Sequence, residues 1–322
     1  MPNLGGKVCL VTGASRGIGR GIALQLITNG ATCYITGRDL SKLEAVKNEA
    51  KLRGAGGHCI PVQCDHSKDN DIKELFNKIS SEQNGTLDLL VNNAYSAVMY
   101  IVNNNDLNFW DQPESGWDEI NNVGLRNHFL CSIQASRLMV PKRRGLIINI
   151  SSVGGVIYFQ TAAYGVGKAA KDRMAKDCAV ELKKYNVAYI SLWPGPVKTE
   201  LVSQEMEKSK LAKPEIRWMF NNGESTEYAG KAISHLLLDK DIMRRSGQIL
   251  STTDLASEFE FKDIDGSHPV SMRSFKTLFA GVGLFSVVPY IPSCLKIPFC
   301  IYKILLPLAK LPAPYKKDSK YE

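Results

Sequence analysis

Residues 7–20 constrain the fold of this chain more than any other stretch. A short apolar, β-branched run, Lys7-Val8-Cys9-Leu10-Val11-Thr12, leads directly into Gly13-Ala14-Ser15-Arg16-Gly17-Ile18-Gly19. Ile22, Leu24, Leu26 and Ile27 then fall at helical spacing. Strand, glycine turn and helix in that order open a parallel α/β unit. Glycine tolerates positive φ and lets the backbone approach a phosphate closely. The free N–H groups and positive dipole end of the helix can then hold the anion. The spacing G-x-x-x-G-x-G differs from the G-x-G-x-x-G fingerprint, and a tight turn with no ligand would read the same way.

The alternation continues along the chain. Residues 32–36, 59–64, 87–91, Gly145–Ile150 and Val187–Trp193 read as further strands. Leu40–Leu52 and the stretch holding Ile72, Leu75, Phe76 and Ile79 read as amphipathic helices. The predicted fold is α/β, a Rossmann-type doubly wound parallel sheet over residues 1–265, with ligands beyond the carboxyl ends of the strands. At the end of the second strand, Gly37 and Arg38 stand where a carboxylate would accept the ribose hydroxyls of NAD. Arg16 can converge on the same place, and two guanidinium groups suit a 2′-phosphate by charge and bidentate geometry. The plainer alternative is two solvated surface arginines. The reading is NADP(H) in preference to NAD(H). Asp39 is expected to cap the helix that starts at Leu40.

Tyr164 and Lys168 are four residues apart where a helix begins, so they share a face. A phenol is a poor acid–base group at neutral pH, and a neighbouring ammonium favours its phenolate. Upstream, Ser151 and Ser152 close an apolar strand, where a hydroxyl can bind a substrate oxygen. Together with the glycine turn, these residues resemble the short-chain dehydrogenase/reductase family over residues 5–255. The resemblance implies that Gly13, Ser15, Arg16, Gly17, Ile18 and Gly19 form the cofactor turn. It also implies that Asp65 contacts the adenine, that Asn92 and Ala94 belong to the strand-four motif of the cofactor site, and that Pro194, Gly195, Val197 and Thr199 bind the nicotinamide. Tyr164 and Lys168 would then be the catalytic pair, also touching the cofactor, with Ser152 polarising the substrate oxygen. Counting thirteen residues back from Tyr164 gives Ser151 as the alternate, whereas matching the strand end gives Ser152. Two positions depart from the family pattern: Tyr95 replaces a Gly, and Gly124 replaces the catalytic Asn. Asn122, two residues away, would lie on nearly the opposite helical face and could not substitute.

Residues 96–116 carry Met99, Tyr100, Phe109 and Trp110, and residues 196–222 carry Met206, Leu211, Ile216, Trp218, Met219 and Phe220. Overhanging the cleft, they would suit a lipophilic carbonyl compound or steroid, unless they merely pack each loop on the core. The net charge of +8 is concentrated in residues 271–322, where seven Lys and one Arg face two acids for a net +6. No basic patch interleaved with aromatics occurs elsewhere, which argues against nucleic acid. Residues 277–295 hold no charge but are interrupted by Pro289 and Pro292 and weakened by Gly281 and Gly283. The 266–322 tail is therefore expected to attach to a membrane surface rather than cross it, or else to pack on the domain or a partner subunit in a homo-oligomer. Eight cysteines without C-x-x-C, and no apolar signal segment, read as reduced thiols, and no metal site is expected. With the resemblance, this places the protein on the endoplasmic reticulum membrane with its catalytic domain facing the cytosol, the alternative being cytoplasmic. The expected activity is that of an NADP(H)-dependent carbonyl reductase or alcohol dehydrogenase. A membrane-docked cofactor-binding sensor or scaffold with little turnover is the rival, and a lipid carrier has only the tail in its favour.

Overall fold

The computed structural model describes residues 2–302 apart from Phe159, residues 209–213, Val282 and residues 299–300. The strands are β1 (Val8–Val11), β2 (Thr32–Gly37), β3 (His58–Gln63), β4 (Leu89–Asn92), β5 (Gly145–Ile150), β6 (Val187–Trp193) and β7 (Ile249–Ser251). They form one parallel sheet in the order β3-β2-β1-β4-β5-β6-β7, with Val11 beside Ile35 on one side and Val91 on the other. Strand order reverses between β1 and β4, so the ligand crevice opens beyond their carboxyl ends. The first six strands fall where the apolar runs predict them. The seventh is only three residues long and leaves too short a run to be read.

The described helices are α1 (Gly17–Thr28), α2 (Leu40–Leu52), α3 (Asp69–Glu82), α4 (Val98–Asn104), α5 (Gly116–Asn121), α6 (Asn127–Lys142), α7 (Ala162–Leu182), α8 (Glu200–Lys208), α9 (Pro214–Asn221), α10 (Tyr228–Leu236), α11 (Ile242–Arg245), α12 (Thr252–Glu258) and α13 (Phe275–Gly281). Successive strand residues point to opposite faces. Cys9 and Val11 therefore pack with Ile22 and Leu26 of α1, Leu43 of α2, Ile233 of α10 and Leu255 of α12. Val8 and Leu10 pack with Ile72 and Phe76 of α3, Met139 of α6 and Leu182 of α7. Burying each such side chain contributes about 1.5–3 kcal/mol, so the three-layer sandwich follows from strands that are apolar on both faces. Asp39 caps α2 as expected, its carboxylate accepting the N–H groups of Ser41 (3.0 Å) and Lys42 (3.3 Å).

The described part of the tail is docked on this body. Arg273 pairs with Asp254 of α12 (Nη2–Oδ1 2.5 Å), and Lys296 reaches Ser257 (2.9 Å). Ser274 bridges antiparallel to Lys296, and α13 packs on α9. Residues 271–298 thus form a strap over α12 and α9 rather than a detached extension. Its outer face exposes Leu278, Leu284, Val287, Tyr290 and Leu295. No helix among the described residues is long and apolar enough to cross a membrane. Residues 303–322 lie outside the described part.

Candidate active site

The glycine turn and the end of β4 are fastened edge to edge at the switch point. Thr12 Oγ1 accepts the N–H groups of Asn93 (2.9 Å) and Ala94 (3.0 Å), while Asn93 Nδ2 donates to Thr12 O (2.9 Å) and Gly13 O (3.0 Å). Gly13 has φ +65, and a Cβ there would lie 2.7 Å from Ala94 Cα, so only glycine fits. No side chain caps α1. Its first amide, Gly17 N–H, instead donates to Glu200 Oε2 at 3.1 Å. A carboxylate seated on this helix N-terminus, beside bare glycine backbone, marks a place built for an anion, and the diphosphate of a dinucleotide fits it. Ser15, Gly17, Ile18 and Gly19 form the buried and half-buried wall of the turn, and Arg16 projects from it into solvent.

Ala14 N donates to Thr36 O (2.9 Å), which holds the end of β2 against the turn, where a Cβ on Gly37 would lie 3.5 Å from Ser15 Cβ. Arg38 is exposed; among the described residues neither Arg16 nor Arg38 makes a close ion pair with a carboxylate, although Arg38 is near enough to Asp65 to act on it. Asp65 follows β3; burial alone would raise its pKa, but the N–H and hydroxyl of Ser67, with Lys68 and Arg38, outweigh that and lower it. Asn92 is turned away from the crevice and fully buried. Its Nδ2 donates to Ser132 Oγ (3.0 Å), Asn149 Oδ1 (3.0 Å) and His128 O (3.3 Å), bracing β4 against α6 and β5. Ala94 sits behind it, its carbonyl paired with His128 Nε2 at 3.0 Å.

Thr161 caps α7, its Oγ1 accepting Tyr164 N–H at 3.2 Å, and so sets the phenol in the first helical turn. Lys168, one turn on and 9% exposed, holds Nζ 5.4 Å from the Tyr164 ring centroid. The two serines part company. Ser151 is buried and its Oγ donates to Lys168 O (3.1 Å), tying β5 to α7. Ser152 Oγ accepts Gly154 N–H (3.2 Å), and Gly154 abuts the phenol so closely that a Cβ there would lie 2.6 Å from Tyr164 Cε1. Ser152 therefore borders the phenol, and Ser151 is turned into the helix.

The segment after β6 folds back over the crevice. Gly195 N donates to Glu224 Oε1 at 2.7 Å, Glu224 N to Pro196 O at 2.7 Å and Lys198 N to Glu224 O at 2.9 Å. Thr252 donates to the same carboxylate oxygen. Val197 is buried in this clasp, and Thr199 leads into Glu200, which returns to the glycine turn. Burial pushes the Glu224 carboxyl up to about 8, against the lowering effect of the Thr252 and Gly195 bonds. Glu200 and Glu224 carry no local signal in the sequence; only long-range contacts bring them here.

The two departures from the family pattern meet in space. Between α5 and α6 the backbone leaves helical geometry at Val123 (φ −105, ψ 88) and Gly124 (φ 157, ψ −22). The helical-face argument about Asn122 therefore fails, because no continuous helix runs through it. A Cβ on Gly124 would lie 2.5 Å from the Tyr95 ring. Tyr95, Tyr100, Ile101 and Ile120 form an apolar cluster that reaches Tyr164, so the 96–116 segment does adjoin that phenol. Phe109 and Trp110 stay exposed, as does Ile216 of α9. Leu211 lies outside the described residues.

Residues 7–210 match the model of the family described as short chain dehydrogenase. The chain is 46% identical over 300 residues to "Dehydrogenase/reductase SDR family member 1" of Homo sapiens, covering 92% of this chain and 95% of that protein. Against the protein of the same name from Mus musculus it is 51% identical over 269 residues, covering 81% and 84%. A short-chain type dehydrogenase/reductase from Mycobacterium marinum matches in structure with TM-score 0.66 at 27% identity, covering 77% of this chain and 94% of that one.

Proposed function

The chain belongs to the short-chain dehydrogenase family of NAD(P)-dependent oxidoreductases, and from that premise we propose that it interconverts lipophilic carbonyl compounds and their alcohols with NADP(H). The observation that carries this reading is the placement of Tyr164, Lys168 and Ser152 around one spot at the carboxyl end of β5, across the crevice from the glycine turn. The nicotinamide, when bound, supplies or accepts the hydride. Tyr164 gives its hydroxyl proton to the carbonyl oxygen in reduction and takes it from the alcohol in oxidation. The Lys168 ammonium stabilises the negative charge left on the phenol oxygen. Ser152 Oγ donates to the substrate oxygen and polarises it. Gly13, Ser15, Gly17, Ile18 and Gly19 would hold the diphosphate, Asp65 the adenine, and Pro194, Gly195, Val197 and Thr199 the nicotinamide, while Asn92 and Ala94 brace β4 behind the crevice.

Two exposed arginines at the end of β2 and in the turn, neither in a close ion pair with a carboxylate among the described residues, support NADP(H) over NAD(H). The apolar 96–116 segment next to Tyr164 supports a lipophilic substrate. The exposed apolar face of the strap, with the lysines that follow it, supports attachment to the cytosolic surface of the endoplasmic reticulum membrane. Replacing Tyr164→Phe tests the mechanism. NADPH affinity should stay within a few-fold while kcat falls by about 100-fold or more, the scale of a lost acid–base group. Unchanged turnover would refute the role of the phenol, and NADPH binding without ketone reduction by the unmodified chain would favour a cofactor sensor.

A further inference from the structure

Behind the catalytic pair the crevice is floored by an aromatic ring. Tyr95 meets Tyr164 edge to face, with centroids 6.4 Å apart and planes at 73°. Lys168 Nζ lies 5.2 Å from the Tyr95 centroid, closer than it lies to the phenol ring it serves. A second lysine nitrogen, from Lys171, is 5.7 Å from the same centroid. Lys171 is only 2% exposed and donates to Ile150 O at 3.0 Å. Burial, with Lys168 as its neighbour, lowers its pKa well below the ordinary ammonium range. The Tyr95 hydroxyl is buried and has no hydrogen-bond partner among the described residues, so its position is set by the ring and not by its oxygen. The ring can occupy this space only because residue 124 is glycine, since a Cβ there would lie 2.5 and 2.7 Å from two ring carbons. Its Cδ and Cε edge thus rests on bare backbone, and its face is offered to the lysines.

We propose that Tyr95 is a positioning residue for the catalytic pair, its ring face holding the Lys168 ammonium against Tyr164, and that Gly124 is the gap that admits this ring. The inference rests on the assignment of Tyr164 and Lys168 as catalytic. A cation is drawn to the negative face of an aromatic ring, most strongly where water is excluded. Lys168 is otherwise a flexible side chain with several rotamers, and the ring selects the one that reaches the phenol. The hydroxyl has no part in this, so the ring alone should suffice.

The test is single-turnover NADPH oxidation at saturating cofactor, with a panel of lipophilic ketones, by the full chain. Tyr95→Leu should lower the rate about tenfold or more with NADPH affinity and ketone KM little changed, and Tyr95→Phe should restore most of it. Gly124→Ala should lower the rate in the native background by displacing the ring, and should add little to Tyr95→Leu. Introducing mono-, di- and trifluorinated phenylalanine at position 95 keeps the shape of the ring while draining its π face. The rate should fall stepwise along that series, a response that simple packing would not give. A flat fluorination series, or a Tyr95→Leu variant as fast as the native chain, overturns the proposal. Tyr164→Phe run in parallel separates the two readings: a fast Tyr164→Phe defeats the acid–base assignment itself, whereas a slow one beside a flat series defeats only the role of Tyr95.

Discussion

Arg38 leaves β2 beside the glycine turn, and it and Arg16 are exposed, neither in a close ion pair with a carboxylate among the described residues. The native chain should therefore bind NADPH more tightly than NADH, and Arg38→Asp should weaken or reverse the preference. Losing one arginine–phosphate pair should be worth roughly 1.5–3 kcal/mol, or about tenfold to over a hundredfold in affinity. Fluorescence titration with both cofactors measures it, and equal native affinities would contradict the assignment. At this scale, legibility followed sequence distance. Tyr164 and Lys168 were readable because one helical turn separates them. Glu200 was not, because it reaches Gly17 across 183 residues of chain, nor was Glu224, which reaches Gly195 across 29. Tyr95 and Gly124 were each visible as oddities, but only the fold shows that one fills the space the other leaves.

Among the elements, the clasp between β6 and α10 has a titratable centre. Glu224 has a folded-state pKa of about 8 against an ordinary value of 4.5, raised first by burial. A raised pKa means that the folded state holds its proton more tightly. The associated stability is complete below about pH 4.5 and is lost as pH rises toward 8, on the order of 3–5 kcal/mol in total. Glu224→Gln keeps an oxygen for Gly195 N–H and Thr252 but cannot ionise. Its melting temperature should decline less than that of the native chain between pH 5 and 8, as followed by circular dichroism; parallel profiles would show that the folded Glu224 carboxyl is ionised across this range and its pKa not raised. The strands were legible as elements because buried parallel strands are continuous apolar runs. The break at Val123 and Gly124 was not, since helical periodicity on either side carries no mark of a two-residue departure in between.

For the whole molecule, the strap of residues 271–298 governs where the chain can be cut. Ending it at Gly266 would strip the Arg273–Asp254 pair and uncover the faces of α9 and α12, lowering the melting temperature. Ending it after Tyr302 leaves the strap in place and removes five lysines. That shorter chain should stay folded and bind NADPH, yet sediment less with membranes than the full chain, since each lysine near an anionic surface adds about 1 kcal/mol. Equal sedimentation of the two would place the attachment in the strap itself. Composition located the basic, apolar tail, but the docking of its first half depends on Asp254 and Ser257, which no pattern in the tail reveals. Hydride transfer beside Tyr164 is the step on which the proposed activity depends, and isotope transfer tests it most directly. NADPH carrying two deuterium atoms at C4 is mixed with the full chain and a lipophilic ketone, and the alcohol is examined by mass spectrometry and NMR. One deuterium should appear on the carbinol carbon, at a rate that falls about 100-fold or more in Tyr164→Phe. Alcohol without deuterium on that carbon, or bound NADPH with no alcohol formed from any ketone tried, would contradict it.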